Sequence, residues 1–138
     1  MLESVRLELA RSRAFPEGST RHGYELVLPL DENGRFDAAR WELAPEIYTV
    51  RRFWEGEGDD VGELVRLKPG TWAFSYQAGR GDDEMIQRLE EHSFRVDEYL
   101  SVKAANGETR PFRVVLVEPA RGRPAQPRQK SSSRDPKP

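Results

Sequence analysis

The chain contains no cysteine. Disulfides, thiolate nucleophiles and cysteine-held metals are therefore excluded, and the fold must be held by its core alone. Histidine is almost as scarce, with His22 and His92 the only two, so few side chains titrate near neutrality. No apolar run approaches the roughly 20 residues of a membrane helix. The opening Met1-Leu2-Glu3-Ser4-Val5-Arg6 lacks the apolar stretch and cleavage site of a secretory signal. The expectation is a soluble, cytoplasmic protein with no membrane association.

Charge is abundant but unevenly placed. The net value of −2 combines two opposite segments. Residues 120–138 hold six basic side chains (Arg121, Arg123, Arg128, Lys130, Arg134 and Lys137) against Asp135 alone, which is +5. Of the 22 basic and 24 acidic residues, 16 and 23 remain in positions 1–119, which is −7. After Glu118 the composition turns to Pro, Arg, Gln, Lys and Ser, with no aliphatic side chain larger than that of Ala120. Such a segment buries too little surface to offset its ordering entropy. The sequence predicts one β-rich domain over residues 1–119 and a disordered basic tail over 120–138.

Within the body the dominant signal has period two. Val5, Leu7 and Leu9 alternate with Arg6 and Glu8, and Tyr24, Leu26, Leu28 and Leu30 share one parity. In the central hairpin, Val61, Val65 and Leu67 precede the Lys68-Pro69-Gly70-Thr71 turn, and Trp72, Phe74 and Tyr76 follow it. Pro69 presets the first corner of a type II turn and Gly70 tolerates the positive φ of the second. Asn33-Gly34 and Asn106-Gly107 mark two further hairpins. Three-residue loops at these sites place Leu30 opposite Phe36, Asp31 opposite Arg35, Leu100 opposite Phe112 and Val96 opposite Leu116. Two-residue loops would instead set apolar residues against Asp37 and Arg113. Ile47 to Trp54, Phe94 to Lys103 and the nearly continuous apolar run Phe112 to Val117 also read as strands, the last in the interior of the sheet system.

Two short stretches are candidates for helix. Ala38, Ala39, Trp41 and Leu43 suit a turn or two around 38–44, closed by Pro45. Residues 84–92 have helical composition, but their place among hairpins favours a strand. The expected fold is mainly β: a small antiparallel barrel or sandwich of seven to eight short strands.

Candidate chemistry is sparse. His22 falls in a loop and His92 lies beside Ser93. Neighbours on a strand point to opposite faces, so His92-Ser93 makes a poor base-nucleophile pair, and both histidines read as structural or surface residues. Glu55, Glu57, Asp59 and Asp60 lack the spacing of a calcium loop and read as a solvated, self-repelling turn. Asp82-Asp83-Glu84 reads as a cap or turn. Gly56-Glu57-Gly58 and Gly79-Arg80-Gly81 lack the sequel of a phosphate cradle. Gly70-Thr71-Trp72 is similar to the short Gly-x-Trp signature of calycin barrels, carriers of small apolar ligands, although it lies mid-chain here.

With no nucleophile-base pair, metal spacing or phosphate loop, the expectation is a non-enzymatic binding or interaction module without a cofactor. Its partner would be another protein or a small apolar ligand. Trp72, Phe74 and Tyr76 are the candidate ligand wall in the barrel-type carrier reading. Arg121, Arg123, Arg128, Lys130 and Arg134 are candidate contacts for a polyanion or nucleic acid.

Overall fold

A computed structural model describes residues 2–76 and 83–120. Its eight strands are β1 (Leu2–Leu9), β2 (Ser19–Pro29), β3 (Thr49–Trp54), β4 (Asp60–Lys68), β5 (Thr71–Ser75), β6 (Glu84–Gln87), β7 (Tyr99–Lys103) and β8 (Thr109–Pro119). Each pairs antiparallel with its neighbours in chain order, and β8 returns to β1 to close a barrel. A short helix, α1 (Ala38–Leu43), and two 3-10 turns, Pro45–Ile47 and Leu89–Glu91, lie between strands. The proposed tail, apart from Ala120, lies outside the described residues.

Period-two patterning produces the barrel as expected on β1 and β2. Val5, Leu7 and Leu9 turn inward, as do Tyr24, Leu26 and Leu28, while Arg6, Glu8 and Glu25 remain outside. Outside, Arg6 bridges Glu8 and Glu25, and Arg51 bridges Glu25 and Asp59. Both expected three-residue loops form. Asp31 N–H donates to Arg35 O at 2.8 Å, Leu30 bridges Phe36, and Leu100 pairs with Phe112. Gly34 and Gly107 take the positive φ these loops require.

The central hairpin pairs β4 with β5 around Gly70, whose φ is +81°. Trp72 and Phe74 face inward as expected, but the inner side of β4 is not the one its apolar count suggests. Gly62 and Leu64 are buried, whereas Val61 and Val65 lie outside and Leu67 is 50% exposed. Leu64 faces Phe74 across the ladder, and a Cβ on Gly62 would collide with the carbonyl of Ser75. Side chains fill the interior of an eight-stranded barrel of this kind, and the wide β5 aromatics are met on β4 by Leu64 and by Gly62, which has no side chain.

Three other expectations change. Residues 84–92 do form a strand, but only to Gln87; Arg88 enters the left-handed region at φ +55° and diverts the chain into the second 3-10 turn. The strand expected from Phe94 begins only at Tyr99, because Asp97 takes φ +78° and bonds through its N–H to Val114 O. Val96, 53% exposed, is therefore not in phase with Leu100. On β8 only Phe112 and Val114 are buried, and Leu116 is on the wet outer face.

The two barrel ends differ. The connections after β2, β4 and β6 form one end, which α1 closes. Asp37 caps α1 by accepting from Arg40 N–H at 3.1 Å. The helix turns Trp41 onto Trp72, with ring centres 4.9 Å apart, and Trp41 Nε1 donates to Leu64 O. Phe36 meets the Trp72 ring at 4.8 Å. The connections after β1, β3 and β7, with Tyr76 just past β5 and Glu84 at the start of β6, mark the other end, here termed the mouth.

Candidate functional site

The mouth holds a buried carboxylate that the sequence reading assigned to a cap or turn. Glu84, 5% exposed, opens β6 opposite Phe74. Its Oε1 accepts from the hydroxyls of Tyr24 (2.9 Å) and Tyr76 (2.7 Å), and its Oε2 accepts from Arg52 Nε (3.2 Å). Arg52 also donates to Glu57 at 3.0 Å. The group draws on β2, β3, β6 and the residue that follows β5. Tyr24 projects inward from β2 and is wedged between Phe74 and Phe112, with ring centres at 4.9 and 5.0 Å. Arg52 is its cross-strand neighbour on β3. Tyr76 follows directly after β5.

These contacts fix the protonation pattern. Burial, then the Glu84 charge, raises the Tyr24 and Tyr76 hydroxyls far above the ordinary tyrosine value, so both are obligate donors near neutrality. Burial works against the charge of Arg52, but Glu84 and Glu57 outweigh it and raise its pKa. Burying a carboxylate is costly unless donors compensate it, and three donors occupy three of its about four lone-pair sites here.

Above this floor is an open cleft of about 370 Å³, lined by Tyr76, Glu84, Trp54, Asp60, Arg110 and the β7–β8 turn at Ala104–Asn106. Trp54 is its aromatic rim. Arg52 and Arg110 lie 4.4 and 5.0 Å from the centre of its ring. His22 meets Trp54 edge-on at 4.5 Å and Phe15 at 4.8 Å. His22 is thus a buried residue of β2, not a loop residue. Ser19 Oγ lies 2.6 Å from its Nδ1 and also accepts from Arg21 N–H, an arrangement that ties down the start of β2.

The expected wall divides in two. Trp72 and Phe74 lie in the core with 0 and 1% exposure, and Trp72 Nε1 donates to Glu90 at 2.9 Å. Of the three, only Tyr76 lines the cleft. The acidic turn is not self-repelling: Arg21, Arg52 and Arg51 pair with Glu55, Glu57 and Asp59. Asp60 has no ion-pair or hydrogen-bond partner for its carboxylate among the described residues. His92 and Ser93 lie beyond β6, in the chain leading to β7, and His92 borders a separate groove. Among the described residues no cluster of His, Asp and Glu has metal-holding geometry, and no helix is long and apolar enough to cross a membrane. Arg121, Arg123, Arg128, Lys130 and Arg134 lie outside the described residues.

The parity of the strand reading contained the missed signal. Once Glu84 to Gln87 is a strand with Ile86 inward, Glu84 shares that inward face. Compared with known proteins, the chain matches no family model, no curated protein and no solved structure.

Proposed function

We propose that the protein is a non-enzymatic binding module whose site is the barrel mouth, and that its ligand is a small molecule or side chain bearing a cationic group. The observation that supports this most is the asymmetry of the two ends. At the α1 end Trp41 closes the interior and the groove there, of about 380 Å³, has no buried charged side chain in its lining, whereas the cleft at the mouth is floored by a buried carboxylate that accepts from three donors. Binding sites typically combine such a concavity with a few fixed polar groups and aromatic walls. The charge balance selects the ligand. Arg52 is held by Glu84 and Glu57, and Arg110 by Glu108, which leaves Asp60 at the rim as a carboxylate with no ion-pair partner among the described residues. Trp54 supplies an aromatic wall, with the guanidinium groups of Arg52 and Arg110 at 4.4 and 5.0 Å from its ring centre.

Carriage of an apolar ligand by Trp72 and Phe74 is less well supported, because these rings are in contact with protein on all sides. Benzylammonium, benzoate and toluene share one shape and differ in charge, so calorimetric titration with all three tests the reading. Benzylammonium should bind more tightly than either, and Asp60→Asn should weaken it by about tenfold, the effect of losing about 1.4 kcal/mol. Equal or stronger binding of toluene would overturn it.

A further inference from the structure

The barrel closes unevenly. Most neighbouring strands share between four and eight registered pairs, but β6 and β7 share one, Met85 with Lys103. The main-chain groups next to that pair can be oriented from the hydrogen bonds around it. Pro111 O accepts from Ala10 N–H, so Pro111 turns its main chain toward β1. Alternate residues of a strand turn to opposite sides, so Arg110 and Phe112 turn toward β7 and engage their partners Val102 and Leu100. Val114 N–H donating to Glu98 O has the same phase. Tyr99, Ser101 and Lys103 must then turn their N–H and C=O groups toward β6.

Only Lys103 meets a strand partner there. Gln87, two residues beyond Met85, points its main chain into the same seam, because Arg88 N–H is committed to Gly70 O on the β5 side. The left-handed turn at Arg88 then leads the chain away before Gln87 and Ser101 can pair. The seam therefore opens as a wedge whose main-chain groups at Gln87, Tyr99 and Ser101 have no strand partner across it among the described residues. A groove of about 350 Å³ lies on it, bordered by Met85, Gln87, His92, Tyr99 and Ser101. Tyr99, at its edge, is 60% exposed.

We infer that this seam is a second binding surface, distinct from the mouth, that takes an extended peptide segment of a partner protein by strand addition to β7 at Tyr99 and Ser101. The missing complement consists of alternating main-chain donors and acceptors, which an extended peptide supplies in the right repeat. Gln87 offers a contact on the far margin and Tyr99 an aromatic surface for one side chain of the peptide. An edge of this kind invites pairing unless it is covered or charged, and the charge of Lys103 lies at the seam's closed end, away from Tyr99.

The test is a phage-displayed library of random heptapeptides selected against the full-length chain, with the recovered peptides titrated into ¹⁵N-labelled protein. The expected result is peptides that shift the Tyr99 and Ser101 amide signals and protect them from exchange. N-methylation of alternate peptide bonds should weaken these peptides at least tenfold, since it removes main-chain donors and leaves side chains in place. Ser101→Pro should do the same, because it deletes a seam N–H without breaking the β7–β8 ladder, and an unchanged thermal midpoint would show that the variant folds. N-methylated peptides that still bind the intact chain, recovered peptides that leave both amides unmoved, or a library that yields no binder would each overturn the inference.

Discussion

Glu84 is the residue on which the mouth turns. Its carboxylate is bonded to Tyr24, Tyr76 and Arg52, and so joins β2, β3, β6 and the end of β5. Replacing it with Ala should cost about 3–5 kcal/mol, the usual penalty for stripping one partner from a buried ion pair. Urea unfolding would measure this, and a cost below about 1 kcal/mol would show the cluster to be solvated. The tyrosines supply a second expectation. Their folded pKa values are raised above the unfolded value of about 10. Above that pH the unfolded chain gives up protons that the folded one retains, so stability is complete below pH about 10 and declines as pH rises further. The limiting slope is about 1.4 kcal/mol per pH unit for each tyrosine. Unfolding midpoints taken between pH 9 and 11 should fall, and Tyr76→Phe should fall less steeply because one of the two groups is gone.

At the level of the element, α1 matters more than its six residues suggest, because it turns Trp41 into the barrel end. Trp41→Ala should cost about 3–5 kcal/mol, while leaving the Tyr24–Glu84–Tyr76 hydrogen bonds at the opposite end in place. A thermal melt read beside the tyrosine pH profile would separate the two effects. Much of this level was legible in the sequence. The Asn-Gly loops, the α1 boundaries and the inward faces of β1, β2 and β5 follow from parity, glycine placement and Pro45. The inner face of β4 was not, because Val61, Val65 and Leu67 outweigh Gly62 and Leu64 in hydrophobicity. What decides it is fit against the neighbouring strand β5, where Leu64 meets Phe74 and only Gly62 clears the carbonyl of Ser75, a constraint that no single strand carries. The ends of β6 and β7 were hidden for a related reason: Arg88 and Asp97 take positive φ without being glycine.

At the largest scale, the described residues form a closed barrel with a filled interior, one end closed by Trp41 and one polar mouth. That asymmetry could not be read from the chain. Glu84, Tyr24, Arg52 and Tyr76 are spread over 61 numbered positions between residues 24 and 84, and only barrel closure brings them together. Hydropathy pointed to the aromatic strand as the site, whereas packing uses Trp72 and Phe74 for the core and leaves Tyr76 to the cleft. The indole Nε1–H signals of Trp41, Trp54 and Trp72 report separately on the plug, the mouth and the interior, so titrating the chain with benzylammonium and then toluene under nuclear magnetic resonance tests this division most directly. The expected result is a shift of the Trp54 signal with benzylammonium and no shift of Trp41 or Trp72 with either compound. Movement of Trp72 and Trp41 with toluene, while Trp54 stays in place, would contradict it.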